Sequence, residues 1–402
     1  MKYSRWFLLA VINMLVCRAL TGSAAPRAET NFFPIMVYNG APGDLAVLKK
    51  MRECGLTVAG FVTPNNLDEC QAAGLKAIVS DPRVGGYDWT KVDEAVARKN
   101  VASLVAKVGR HPAVYGYYLR DEPGVGLFPG LAKVASIVRE LAPGKLPYMN
   151  CFPNYAENWQ LGDSNYTSYL EQFIDTVKPS ALSYDNYSLM DDGSLREGFW
   201  SNLEQMRAAA KKHGLPFWNT VLSVAHFNYR EPTAADFRFQ AYSTLVYGAR
   251  GICWFTYFAP QVGNYRMAPI DQFGNETPNW HNMQNVNLQI LKLAPVLLQL
   301  TSDAVYHIGG IPNGCQGPPA ASLVTGVSGD NFVVGDFTHA DGGRYVMIVN
   351  KDVLHSRPCA PHFRNPAGPL KMVSPYTGQL TTFEGEQVWL APGAGVLLKI
   401  GK

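Results

Sequence analysis

The sequence is poor in charge, and it lacks the motifs of several common protein classes. Only 17% of its 402 residues are charged, whereas 12% are aromatic. This composition is typical of a large packed core and excludes intrinsic disorder and coiled coils. None of the seven cysteines forms a C-x-x-C pair, which argues against a zinc site. No basic cluster remains outside the N-terminal segment, so we expect no nucleic-acid partner.

Long apolar runs are also missing, apart from one at the N terminus that is too short to span a membrane comfortably. Lys2 and Arg5 precede "WFLLAVINMLVC", and the small residues "TGSAA" follow. Because this is the order of a secretory signal peptide, we predict export to the periplasm or the medium after cleavage of residues 1–24. Lipid attachment at Cys17 is the less favoured alternative, since a bulky Val16 precedes it. Cleavage brings the formal charge from +3 to zero.

Six cysteines remain after this cleavage, and export permits disulfide bonds. Spacing alone establishes no pairing. Cys151 and Cys253 lie in apolar strand-like runs, where we expect buried thiols. The pairs that stay within one region of the chain are Cys54–Cys70 and Cys315–Cys359.

Short β-rich runs alternate with amphipathic stretches from residue 33 onward. Helical patterns such as "GLAKVASIVRELAPG" end in glycine or proline, as helix C termini do, and Thr233 and Asp236 have capping-box spacing. Eight such alternations predict an α/β fold, a (β/α)8 TIM barrel over residues 30–302. A doubly wound open sheet is the rival, but no glycine-rich phosphate loop follows the first strand. The predicted strands are 33–39, 57–62, 76–81, 114–122, 146–152, 181–187, 216–224 and 251–258.

The pattern changes after residue 303. "FVVGDFTHADGGRYVMIVNKD" contains two alternating runs around the turn "ADGG", which predicts a β-hairpin. Short strands and tight turns continue to the end of the chain. We therefore predict a C-terminal, sandwich-like antiparallel β domain over residues 303–402, and we expect it to pack against the barrel.

Asp121 and Glu122 are adjacent at the end of the fourth predicted strand, and the active site of such a barrel lies at the C-terminal strand ends. Adjacent carboxylates repel each other and resist desolvation, so folding gains nothing from this placement. We predict a catalytic pair, with Asp185 as a further candidate carboxylate. The alternatives are a solvated strand end and a structural ion pair with Arg120.

Polar and aromatic residues end the other strands, which is typical of a sugar-binding cleft. Phosphate chemistry would need lysine and arginine there, and metal chemistry would need histidine clusters. We therefore expect a carbohydrate partner and no cofactor or metal. The candidate substrate-binding residues are Tyr38, Asn39, Arg120, Asn150, Tyr184, Tyr187, His226, Trp254 and Tyr257.

A barrel whose fourth strand ends in an acid/base glutamate resembles the large clan of retaining glycoside hydrolases. "DEP" at residues 121–123 and "PTAADFRFQAYSTLVYGARGICWFTYF" resemble bacterial secreted glycosidase-like proteins with a small C-terminal β domain. The chain departs from the clan in two places. Asp121 stands where the clan usually has asparagine, and the segment after the seventh strand offers no acid before Glu231.

The adjacent Asp–Glu pair instead resembles the substrate-assisted N-acetylhexosaminidases of glycoside hydrolase families 20 and 123. That resemblance implies that Glu122 protonates the leaving oxygen and that Asp121 orients the 2-acetamido group of the substrate, which acts as the nucleophile. It also implies an acetamido pocket lined by Tyr184, Asp185 and Tyr187.

The sequence thus predicts a secreted glycoside hydrolase that cleaves an oligo- or polysaccharide. Two alternatives stay open. One is a two-carboxylate glycosidase that uses Glu122 with Asp185 or Glu231. The other is a carbohydrate-binding barrel without catalysis. The sugar, its linkage and the oligomeric state do not follow from the sequence.

Overall fold

The structure is a computed structural model that describes residues 32–365 and 368–401. The predicted signal peptide, residues 1–24, lies outside the described residues. Within them, none of the helices has the length and apolar character that crossing a bilayer requires.

Eight parallel strands of the described chain form a closed ring. The first five strands pair in chain order, as do the last three, and the eighth pairs with the first. A parallel bridge between Cys151 and Tyr184 joins the fifth strand to the sixth. The predicted (β/α)8 barrel is therefore confirmed. The strands are β1 (Ile35–Val37), β2 (Val58–Val62), β3 (Lys76–Val79), β4 (Val114–Asp121), β5 (Leu146–Asn150), β6 (Leu182–Asp185), β7 (Phe217–Leu222) and β8 (Gly251–Phe255).

Helices surround this ring, and their ends follow ordinary capping chemistry. The capping box predicted from Thr233 and Asp236 is confirmed: Asp236 N donates to Thr233 Oγ1 at 3.2 Å, and Thr233 N donates to Asp236 Oδ2 at 2.9 Å. The helices are α1 (Leu45–Glu53), α2 (Leu67–Ala72), α3 (Pro82–Gly85), α4 (Glu94–Val108), α5 (Phe128–Leu141), α6 (Asn158–Leu161), α7 (Tyr166–Val177), α8 (Phe199–His213), α9 (Ala234–Val246) and α10 (Pro278–Leu297).

The C-terminal region is an all-β unit, as predicted. Its main sheet is antiparallel with the order β16-β15-β18-β12-β11-β9, and β11 and β12 form the predicted hairpin around "ADGG". The first strand of the sheet begins at Leu300. The strands are β9 (Leu300–Ile308), β10 (Val324–Ser328), β11 (Phe332–His339), β12 (Arg344–Asn350), β13 (Arg357–Pro358), β14 (Ala360–Phe363), β15 (Lys371–Val373), β16 (Leu380–Thr382), β17 (Trp389–Leu390) and β18 (Gly395–Ile400).

Residues of the barrel strands alternate between two apolar clusters. The lumen holds one cluster, which includes Met36, Tyr148 and Trp218. The layer between strands and helices holds the other, which includes Tyr184 and Trp254. Which face a residue takes therefore decides whether it can reach the mouth of the barrel.

All six cysteines of the described chain are free thiols. Neither Cys54–Cys70 nor Cys315–Cys359 is bonded in the structure, so these candidate pairings are not formed. Cys151 and Cys253 are buried, as their apolar context predicts.

Candidate active site

Three carboxylates meet at the C-terminal mouth of the barrel, contributed by Asp121, Glu122 and Asp185. The Asn150 amide connects two of them, because its Nδ2 lies 2.8 Å from Asp185 Oδ1 and 3.3 Å from Asp121 Oδ1. Ser183 Oγ donates to Asn150 Oδ1 at 2.9 Å and fixes the orientation of that amide. The Glu122 carboxyl group lies close enough to Asp185 for its charge to raise the pKa of that residue. The ends of β4, β5 and β6 therefore form one polar cluster.

The backbone at Glu122 explains how two adjacent residues join the same cluster. Adjacent side chains of a regular strand point to opposite faces, but Glu122 follows the last residue of β4 with a φ of 42°, in the left-handed region. Its N–H donates to the Asn150 carbonyl at 2.8 Å, and the Tyr169 hydroxyl donates to the Pro123 carbonyl at 2.9 Å. Neighbouring elements thus hold the turn in this uncommon conformation.

Burial and mutual repulsion keep protons on this cluster near neutral pH. Burial and then the charge of Asp121 raise the pKa of Glu122 to about 7. Burial, followed by the charges of Glu122 and Asp121, raises the pKa of Asp185 well above its usual range. Burial also raises the pKa of Asp121, although the Asn150 amide and the charge of Arg120 oppose this. Perturbed carboxyl groups of this kind are typical of acid–base catalysis.

A cleft of about 470 Å³ opens beside Glu122. The Arg120 side chain lies along it. Arg120, Asp121 and Glu122 all belong to the described chain, and no ion pair joins Arg120 to either acid. The structural ion pair considered from the sequence is therefore not formed. Trp159 is 82% exposed on the same cleft. The lining residues are Tyr118, Arg120, Asp121, Glu122, Phe152, Trp159 and Gln160.

An aromatic wall stands on the Asp185 side of the cluster. Tyr187 lies against His226 and Phe255, with ring centroids 5.7 and 5.3 Å apart, and His226 stacks on Tyr265 at 5.4 Å. Burial and then the charge of Asp185 raise the pKa of Tyr187. Burial lowers the pKa of His226, so its ring is neutral at pH 7.

The end of β1 completes the mouth. Burial and then the charge of Asp121 raise the pKa of the Tyr38 hydroxyl, which places that group beside the cluster. Asn39 is exposed, and its Nδ2 donates to Thr256 Oγ1 at 3.3 Å. The predicted residues that the structure brings to the mouth are Tyr38, Asn39, Arg120, Asp121, Glu122, Asn150, Asp185, Tyr187 and His226.

Three predicted substrate-binding residues point away from the mouth, and these predictions are wrong. Trp254 is fully buried between strand and helix layer, where its Nε1 donates to Asn287 Oδ1 at 2.9 Å. Tyr257 is buried, and its hydroxyl accepts a hydrogen bond from Trp280 Nε1 at 2.8 Å. Tyr184 lies fully buried in the same outer layer, because its neighbours Ser183 and Asp185 take the inward positions of β6.

Glu231 does not join the carboxylate cluster. It is half-exposed and forms an ion pair with Arg266, at 3.2 Å between Oε1 and Nε. It lies outside the groups whose charges act on Glu122. The end of β7, which precedes it, contributes His226 to the mouth and no acid.

Four residues that line the cleft were not predicted from the sequence: Tyr118, Phe152, Trp159 and Gln160. The segment "NWQLG" carried the available signal, because a tryptophan between two amide side chains follows the fifth strand. No periodic pattern marks this segment, since α6 is only one turn long.

No protein-family model matches the chain, and no curated protein matches it. Solved structures match it in fold. A glycoside hydrolase family 5 protein from Bacteroides vulgatus is 12% identical, with a TM-score of 0.59 over 92% of this chain and 89% of its own. A second structure, described as a glycoside hydrolase, is 12% identical, with a TM-score of 0.58 over 92% and 93%.

The β-galactosidase from the psychrophilic Marinomonas ef1 is 13% identical, with a TM-score of 0.52 over 66% of this chain. The match spans 62% of the length of that protein. At these identities the likeness shows the fold alone, a TIM barrel.

Proposed function

We propose that this protein is a glycoside hydrolase in which Glu122 is the general acid. The observation that carries the proposal is the cluster of Asp121, Glu122 and Asp185 at the catalytic end of the barrel, in which Asp185 is buried and the other two are partly exposed. A general acid works best when its pKa lies near the working pH, and the pKa of Glu122 is raised to about 7. Glu122 gives its proton to the glycosidic oxygen as the carbon–oxygen bond breaks, and the leaving sugar departs as an alcohol.

The state of the other carboxyl groups favours a substrate-assisted mechanism. A carboxylate nucleophile must be ionised, whereas burial and the charges of Glu122 and Asp121 raise the pKa of Asp185 well above its usual range. Glu231, the first acid after β7, is half-exposed and paired with Arg266. We therefore propose that the nucleophile belongs to the substrate, as a 2-acetamido group.

Asp121 and Asp185 then have positioning roles. An acetamido group that attacks through its oxygen must be turned toward the anomeric carbon, and a carboxylate that accepts its N–H can hold it there. Asn150 holds both acids in place through its Nδ2, and Tyr187 stands beside Asp185 as an aromatic wall.

A panel of 4-nitrophenyl glycosides with and without a 2-acetamido group tests the proposal. We expect turnover of the 2-acetamido sugars and loss of at least a hundredfold in kcat/KM for Glu122→Gln on substrates with poor leaving groups. Activated aryl glycosides should lose less, because they need less protonation. The matched control is Glu140→Gln, since Glu140 is paired with Arg98 on the surface.

Two alternatives give different results in the same panel. A two-carboxylate enzyme that uses Glu231 would lose activity in Glu231→Gln and would hydrolyse plain hexosides. A barrel that only binds carbohydrate would bind oligosaccharides and turn over no substrate. We also propose that the protein acts after export, which detection of the chain without residues 1–24 outside the cytoplasm would test.

A further inference from the structure

Trp159 is a large apolar side chain that is exposed to solvent rather than packed in the core. Its side chain is 82% exposed, and it lines the cleft that contains Glu122. An exposed indole gains nothing for folding, whereas its flat face fits the C–H face of a sugar ring. Exposed aromatic side chains beside polar groups are typical of binding sites.

The segment that carries Trp159 is fixed directly to the catalytic turn. A Cβ at Gly124 would lie 2.5 Å from the Gln160 carbonyl oxygen, so only glycine allows this approach of the turn to α6. The Glu157 N–H donates to Gln160 Oε1 at 2.9 Å and closes a capping box at the start of α6. Trp159 is thus held at a set position relative to Glu122.

The two sides of Glu122 differ in what they offer a substrate. Asp185 and the Tyr187 wall, which would hold the sugar whose bond breaks, do not line the cleft that contains Glu122. Trp159 and Arg120 line that cleft instead. Arg120 is exposed, and within the described chain its N–H groups donate no hydrogen bond and form no ion pair, so these donors are free for hydroxyl groups.

A general acid must touch the oxygen that joins the broken sugar to its leaving group. The leaving group therefore lies on the side of Glu122 away from Asp185. Resting on the proposed function, we propose that Trp159 is the stacking platform for the leaving-group sugar, and that Arg120 binds the hydroxyl groups of that sugar. The preferred substrate is then an oligosaccharide with a sugar, rather than a small alcohol, on the leaving side.

Trp159→Ala tests this platform on two substrates. Both contain the sugar that the aryl glycoside panel identifies. One is an oligosaccharide, which places a sugar on Trp159. The other is the glycosyl fluoride, whose leaving group is a single fluoride ion that neither stacks nor needs a proton before it departs. We expect kcat/KM to fall about three- to tenfold on the oligosaccharide, in the range of an aromatic contact, and less than twofold on the fluoride.

Trp159→Phe should restore part of the oligosaccharide activity, because the ring remains. The matched control is Trp389→Ala, which removes another exposed tryptophan, 58% accessible, from the C-terminal β unit. It should leave kcat/KM unchanged on both substrates.

Equal losses on the two substrates, or no loss on the oligosaccharide, would overturn the platform and leave the hydrolase intact. A wild-type protein that turns over neither substrate would instead overturn the proposed function, and the leaving-group site with it.

Discussion

Glu122 occupies a position that costs the fold stability. Its pKa in the folded protein is raised to about 7 by burial and by Asp121, whereas the pKa of a glutamate in an unfolded chain is about 4.3. Below the lower value both states bind the proton, and the group has no effect on stability. As the pH rises from there to about 7, the unfolded chain releases its proton first, so the free energy of unfolding falls.

Glu122→Gln should therefore stabilise the protein at high pH only. We expect the free energy of unfolding to rise by on the order of 2 kcal/mol at pH 8, because the neutral amide ends the penalty of a buried charge beside Asp121. At pH 4 the change should be close to zero. Urea unfolding at both pH values measures this, with Glu140→Gln as the surface control. A loss of stability at pH 8 would contradict the raised pKa.

The composition of the site was partly predictable at this scale. Asp121, Glu122, Asp185 and Asn150 followed from one rule, that polar groups at the ends of buried strands need a purpose. Trp159 did not follow, because it lies in a loop where exposure depends on how α6 packs on the turn at Gly124. That contact joins distant parts of the fold and leaves no periodic trace in the sequence.

At the scale of elements, all eight barrel strands were predicted. Which of their residues point into the lumen and which point toward the helices was not. Both faces of a barrel strand are buried, so inward and outward positions carry the same apolar residues. Tyr184 and Trp254 were assigned to the mouth because they stand near strand ends. A shift of one residue moves a side chain to the other face, and both side chains lie in the outer layer.

Trp254 accordingly has a structural role in joining β8 to α10. Its Nε1 donates to Asn287 Oδ1 at 2.9 Å, and Asn287 Nδ2 donates to the Cys54 carbonyl at 2.9 Å. Trp254→Phe keeps most of the ring volume but leaves the Asn287 oxygen without its donor. We expect the free energy of unfolding to fall by about 1–3 kcal/mol, with KM unchanged.

Urea unfolding and steady-state kinetics on the same preparation test this assignment, with Trp389→Phe as the exposed control. A severalfold rise in KM with unchanged stability would return Trp254 to the substrate site.

At the scale of the whole molecule, the barrel and the C-terminal sheet share one core. Helix α9 lies between them, and its residues on all sides are buried, as expected of a helix covered on both faces. The sheet approaches it closely at glycines: a Cβ at Gly395 would lie 2.5 Å from the Tyr242 ring. Tyr247, just past α9, has its hydroxyl 3.0 Å from His307 Nε2 on β9. The shared core predicts that barrel and sheet unfold together.

Gly335→Ala tests this coupling at a tight point of the interface. Gly335 lies on β11, and a Cβ there would be 2.4 Å from the carbonyl oxygen of Val246 at the end of α9. Because the clash involves backbone on the barrel side, sheet and helix must separate slightly. We expect a loss of about 1–3 kcal/mol, the usual cost of overpacking, in one transition seen alike by tryptophan fluorescence and circular dichroism.

Gly326→Ala is the matched control, because the nearest atom to its Cβ would be in the His362 ring at 3.9 Å, and it should change stability little. Two separate transitions in Gly335→Ala, with that of the barrel unmoved, would show independent units. A single, lowered transition would instead mean that the sheet stabilises the outer face of α9. The sheet would thereby support β7 and β8, which precede and follow that helix in the chain. Strand β7 leads to His226 in the aromatic wall of the site.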